Sequence, residues 1–214
     1  MPLSPLLFVR QQFPSHRLPD LEAEVRRQLD AHSLHRNLPP GSEVAIAVGS
    51  RGIANLARIV RAVARWWQDH GMQPFVFPAM GSHGAATAPG QAAVLAKFGI
   101  TPDTIGCPVR SSLAVDSLGA TPGGIPVVVD RLAHRSAGIF LCGRVKWHTD
   151  FAGNLESGLF KMMAIGLGKL AGAQNYHSHA FNLGLEQVIR AVGRHILATG
   201  KVLGGLAILE DAHH

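Results

Sequence analysis

The sequence predicts an α/β fold, a mostly parallel sheet with helices on both faces. Three observations carry that prediction. Short apolar runs of strand length alternate with longer segments whose apolar residues recur at helical spacing. Glycine-rich or polar loops follow several of the apolar runs at once, as in sheets that bind ligands at the carboxyl ends of their strands. Composition agrees: 47% of the 214 residues are hydrophobic and 16% charged. A chain of this size can bury roughly 70% of its unfolded surface.

The elements follow in order. Leu6 to Val9 reads as a short strand. Pro19 to Leu34 reads as a helix, with Leu21, Val25 and Leu29 on one stripe. Two prolines and a glycine between Asn37 and Ser42 make a turn. Val44 to Val48 is a strand, followed at once by Gly49-Ser50-Arg51-Gly52. Ile53 to His70 is a helix with Leu56, Ile59, Val60 and Val63 inward, and Gly71 ends it. The pattern repeats with a strand at Pro74 to Pro78, a loop at Met80 to Gly84, and a helix at Gln91 to Phe98. Ile125 to Val129 and Gly138 to Cys142 are further strands. A polar segment from Lys146 to Gly158 precedes an apolar helix-like run from Leu159. Leu183 to Thr199 is a helix, and Val202 to Leu209 a last strand. The whole chain, 1–214, reads as a single α/β domain. Its strand-like end close to His214 suits either a natural terminus or a fragment.

The formal charge is +6, from 20 Lys and Arg against 14 Asp and Glu, which favours an anionic partner. The basic residues are scattered, with no basic block interleaved with aromatics, so a small anion fits better than nucleic acid. Cys107 and Cys142 lie in apolar stretches and read as buried thiols, not a disulfide framework. The apolar run at the start is too short for a signal peptide, and no run of ~18 uncharged apolar residues offers a membrane span. The expectation is a cytoplasmic protein.

Four segments carry candidate chemistry. In the Gly49 to Gly52 loop, small residues let backbone N–H groups approach an anion, Ser50 can donate a hydrogen bond, and Arg51 can grip a phosphate bidentately. A plain strand-to-helix turn is the other reading. His83, between small residues after a strand, suits proton transfer near neutral pH, or is a surface histidine among the chain's 12. His148 with Asp150 can form an oriented acid/base, while Lys161 interrupts an apolar run and either snorkels to solvent or reacts. His177 and His179 form an H-x-H pair, which on an extended chain shares a face and can bind metal, although no local cysteine or carboxylate completes a zinc set.

Taken jointly and in order, SRG at 50–52, MGSHGAAT at 80–87, KWHTDFAG at 146–153 and ESGLFKM at 156–162 resemble the landmarks of the nickel-dependent lactate racemase superfamily, in an uncharacterised branch of it. The resemblance implies a Rossmann-like N-terminal domain without the family's C-terminal domain. It implies a nickel-pincer nucleotide cofactor, nickel pyridinium-3,5-bisthiocarboxylic acid mononucleotide. Lys161 then matches its tethering lysine, Ser50 and Arg51 its phosphate loop, and His177 the protein ligand to nickel. His83 and His148 match the two acid/base histidines of a 2-hydroxy acid racemase or epimerase. Imidazole is a suitable fourth donor for square-planar nickel. Two bases on opposite sides suit a reaction in which either enantiomer must surrender its hydroxyl proton. The chain departs from the family pattern at Val48, where the family has an acidic residue, and at Trp147, where it has proline. The rival readings are a non-enzymatic nucleotide or phosphate binder, an inactive truncated homologue, and metal-assisted hydrolysis through His177, His179 and a carboxylate.

Overall fold

The computed structural model describes residues 7–148 and 153–213. Strand β1 (Glu43–Val48) is at the heart of the fold, with all but its first residue buried. Strands β2 (Gln73–Pro78) and β5 (Gly138–Arg144) pair with it in parallel on either side, and β6 (Val202–Ile208) adds parallel to β5. The order β2-β1-β5-β6 makes a four-stranded, all-parallel sheet. Such a sheet must be covered on both faces, which is why its inner strands read as continuous apolar runs.

Alternate residues feed the two cores. Val44, Ile46, Val48 and Phe140 pack with helices α1 (Leu21–Asp30) and α2 (Leu56–Asp69), on the side that also receives Leu95 of α3 (Ala88–Lys97) and Ile105 of the short α4 (Pro102–Ile105). Ala45, Ala47, Ile139 and Leu141 face the opposite core. That core holds the antiparallel pair β3 (Val115–Ala120) and β4 (Pro126–Asp130), and the short α5 (Arg131–Arg135). Helices α6 (Gly158–Lys161), α7 (Lys169–Leu183) and α8 (Leu185–Ala198) complete it. Among the described residues, no helix is long and apolar enough to cross a membrane.

Several expectations change. Residues 7–9 form no strand; they belong to an exposed arm that joins neither sheet, and Leu6 lies outside the described residues. The run at 125–129 becomes β4, which pairs with β3 in a separate two-stranded sheet. Helix α2 starts three residues later than its apolar pattern suggests, because Asn55 takes a left-handed backbone (φ 58°) ahead of Leu56. Most consequential is the stretch after Lys161. It passes through a π-helical turn, Met162–Gly166, and then enters α7, so His177 and His179 are on a helix. Residues two apart on an α-helix point about 200° apart, so this pair does not share a face as it would on an extended chain.

Phe140 is fully buried and meets Trp67 edge-on, with ring centroids 5.9 Å apart. Phe140→Ala should lower unfolding stability by about 3–5 kcal/mol in urea titrations. Phe8→Ser, in the exposed arm, should change it by no more than about 0.5 kcal/mol. Equal effects of the two substitutions would contradict this assignment of core and surface.

Candidate active site

Because β1, β2 and β5 run parallel, the chain leaves each of them at the same edge. The loops that emerge there, with the turn entering α6, enclose an open pocket with a cavity volume of about 150 Å³. Ser50 and Arg51 follow β1, His83 follows β2, Lys146 and His148 follow β5, and Lys161 ends α6; all six line the pocket. Its apolar wall includes Ile53, Met80, Met162 and Ile165. The side chain of Met162 forms part of the floor and packs so closely on Gly143 that a Cβ there would approach its methyl carbon to 2.8 Å. Of the six residues to which the resemblance assigns a role, Ser50, Arg51, His83, His148 and Lys161 thus meet in one cleft. His177 is exposed on α7 and does not line it. Asp150, proposed as the partner of His148, lies outside the described residues, as do Thr149, Phe151 and Ala152.

Ser50 Oγ and His83 Nδ1 are 2.5 Å apart, which joins the first loop to the second. His83 is exposed at the pocket mouth, yet desolvation against the pocket wall depresses its pKa, and the nearby charges of Arg51 and Lys161 depress it further. The imidazole is therefore neutral at pH 7. If Nδ1–H is donated to Ser50 Oγ, Nε2 keeps its lone pair, as a base requires.

The third loop is held from within by Glu156. Its carboxylate accepts the backbone N–H of His148 at 2.6 Å and of Gly153 at 3.1 Å. These two bonds hold its pKa below the usual carboxylate range, with the His148 and Lys161 charges adding to the effect. Ser157 Oγ closes the base of the same loop, accepting from Lys146 N at 2.7 Å and donating to Lys146 O at 2.5 Å. Lys161 Nζ donates to Glu156 O at 3.3 Å, within the pocket. At the rim Trp147 is 83% exposed.

Arg144 and Glu210 do for the first loop what Glu156 does for the third. Arg144 Nε stands 2.7 Å from Glu210 Oε2, and Arg144 Nη1 donates to Gly52 O at 3.0 Å. Glu210 Oε1 accepts from Ala54 N at 2.5 Å. Sequence reasoning missed both residues. Arg144 closes an apolar strand just before the polar loop, and that position was the available signal; Glu210 is distant in sequence and offered none. Among the described residues, no group of three or more His, Cys, Asp or Glu could hold a metal ion unaided.

Fold and site together define an α/β domain with an open, cation-lined cleft at the carboxyl edge of a parallel sheet. No protein-family model matches the chain, and no curated protein matches it in sequence. Among solved structures, the fold is similar to that of the lactate racemase apoprotein from Thermoanaerobacterium thermosaccharolyticum, with a TM-score of 0.61 at 17% identity. That likeness covers 90% of this chain and 49% of the racemase chain, so the chain spans about half the length of that structure.

The depressed pKa of His83 gives a direct test. Its imidazole should titrate below 6.5 when followed by NMR, and Arg51→Ala should move the midpoint upward by removing a cation. Between the folded value and 6.5 the unfolded chain binds this proton more readily than the folded one, so His83 makes the fold less stable as pH falls through that window. A midpoint at or above 6.5 would contradict the geometry.

Proposed function

We propose that this chain is the N-terminal, cofactor-bearing domain of an enzyme that racemises or epimerises a 2-hydroxy acid. The observation that carries the reading is the meeting of Ser50, Arg51, His83, His148 and Lys161, from four separate segments, in a single cleft. Each was assigned a role from the sequence resemblance, and the fold similarity to a lactate racemase apoprotein supports the same reading.

The residues present fit two ends of a pincer nucleotide. Ser50 and Arg51, after β1, offer a hydroxyl and a guanidinium to its phosphate, and Lys161 Nζ opens onto the cleft where a tether would form. For the metal end, His177 is the residue the resemblance names, and it stands on α7 away from the cleft lining. When bound, the group supplies acceptance and return of a hydride at the substrate's C2. The rest is work for the protein. In either direction one of His83 and His148 takes the hydroxyl proton of the reacting enantiomer, and the other, protonated, supplies the hydroxyl proton of its mirror image. The positive charge of Lys146 attracts a carboxylate, and the apolar wall from Ile53 to Ile165 excludes water from the reacting carbon.

A second reading rests on the cationic lining alone: a domain that binds a nucleotide or phosphate without chemistry. Covalent chemistry at Lys161 separates the two. Expressed together with cofactor-making enzymes, the full-length protein should carry a nucleotide-sized mass that fragments to Lys161. Lys161→Arg should abolish the adduct and the nickel held with it, and His177→Ala should keep the adduct but hold nickel less firmly. An unmodified Lys161 under full cofactor supply would favour the binding domain.

In the loaded, full-length enzyme, His83→Ala and His148→Ala should each slow interconversion by roughly 10²–10⁴-fold with cofactor content unchanged. Full activity in both directions from either variant would end the two-base assignment.

A further inference from the structure

Lys169 is unusual twice over. It is a lysine whose side chain has no solvent exposure, and its backbone is left-handed (φ 55°), a conformation that non-glycine residues seldom adopt. Its ammonium donates to Pro78 O at 2.5 Å and to Gln91 Oε1 at 3.0 Å, and stands 3.0 Å from Asp130 Oδ2. Two hydrogen bonds and one ion pair thus surround the ammonium.

The second of those bonds has a directional consequence. An ammonium only donates, so the buried amide of Gln91 must turn its oxygen toward Lys169. Its NH₂ then faces the other way, donating to Gly81 O at 2.8 Å and to His83 O at 3.3 Å. Pro78 is the last residue of β2, and Gly81 and His83 lie in the loop that follows it. One buried cation thus grips the loop at its root and, through Gln91, along its length. The loop also lies flat on the start of α3: Gly84 has φ 63°, and a Cβ there would meet Gln91 N at 2.6 Å.

We propose that Lys169 and Gln91 are positioning residues for His83: the ammonium sets the orientation of the Gln91 amide, and the amide's two N–H groups hold the Gly81 and His83 carbonyls so that the imidazole meets Ser50. The link to catalysis rests on the acid/base reading of His83; the positioning does not. Burial alone would serve stability equally well with apolar side chains, since a buried ion pair is replaceable by a packed hydrophobic pair of similar volume. The polar network adds direction, which an apolar pair lacks.

The test uses the cofactor-free chain. Gln91→Met keeps the length of the side chain and removes its donors. The His83 and Ala86 amides, which bond to Met80 O and His83 O within this loop, should exchange with solvent about 10-fold faster after correction for global stability. The His83 titration midpoint should move up toward the ordinary histidine value, and the ¹⁵N signature of the Nδ1 bond to Ser50 should be lost. Should Gln91→Met not fold, Lys169→Met combined with Asp130→Asn removes the cation and its counter-charge together and should give the same His83 changes. A folded variant with wild-type loop exchange and an unmoved His83 titration overturns the proposal. In the loaded enzyme, Gln91→Met should lower kcat about 10-fold with KM within about twofold. Full activity of His83→Ala would instead overturn the acid/base reading and leave the positioning intact.

Discussion

A parallel strand needs a crossover to return the chain to its starting edge, and that requirement arranges everything chemical in this protein. With β1 flanked in parallel by β2 and β5, three loops leave the sheet side by side, roughly 4.8 Å apart per strand at their roots. Ser50, His83 and Lys146 are far apart in sequence, yet they share one cleft because each follows a strand of the same direction. Were any of the three strands reversed, its loop would open at the far edge, and the cleft would lose Ser50, His83 or Lys146. The crossovers bring a second benefit: their helices cover both faces of the sheet, which lets the strands be apolar throughout and leaves polar chemistry to the loops.

The basic residues divide into two sets once the fold is known. Several are paired on the surface, where Arg58 meets Glu22, Arg26 Asp69, Arg110 Glu43 and Arg131 Asp116, which leaves the net excess of +6 unchanged. Exposed pairs of this kind contribute little stability. What matters for function is the set concentrated at the cleft. Arg51, Lys146 and Lys161 share a partly desolvated space, where their fields are screened less than on the open surface. His83 registers that field, since the charges of Arg51 and Lys161 both act to keep its proton off.

The α/β class, the parallel pairing and the cleft edge were legible in the sequence, because apolar runs of five residues such as AIAV with Val44 have few places to go except the middle of a covered sheet. Site residues were legible where they follow such runs directly, as Ser50, Arg51 and His83 do. Strand β3 was not, because VDSLGA is polar and only half-buried, and periodicity carries no signal in so exposed a pair. Helix α7 was misread for a related reason: KLAGAQNYHSHAFNL has little amphipathic pattern, so the H-x-H spacing stood out over the helical one. Gln91 and Lys169 were invisible as partners because their contact spans 78 positions and depends on side-chain direction, not on local pattern.

The path from Lys161 to His177 shows why irregular backbone belongs in this region. A straight α-helix over those 16 residues would advance about 24 Å. The chain does not take that path. It widens into a π-helical turn at Met162–Gly166, then breaks at Lys169, where the left-handed residue separates the turn from α7. Pi-helical turns occur often at functional sites, and a left-handed lysine persists only where its surroundings over-determine it. Here they do, through Pro78, Gln91 and Asp130, on three different elements. The residue that makes the break is the same one that anchors the loop of His83. Strain at Lys169 and order in that loop are thus two consequences of the same contact.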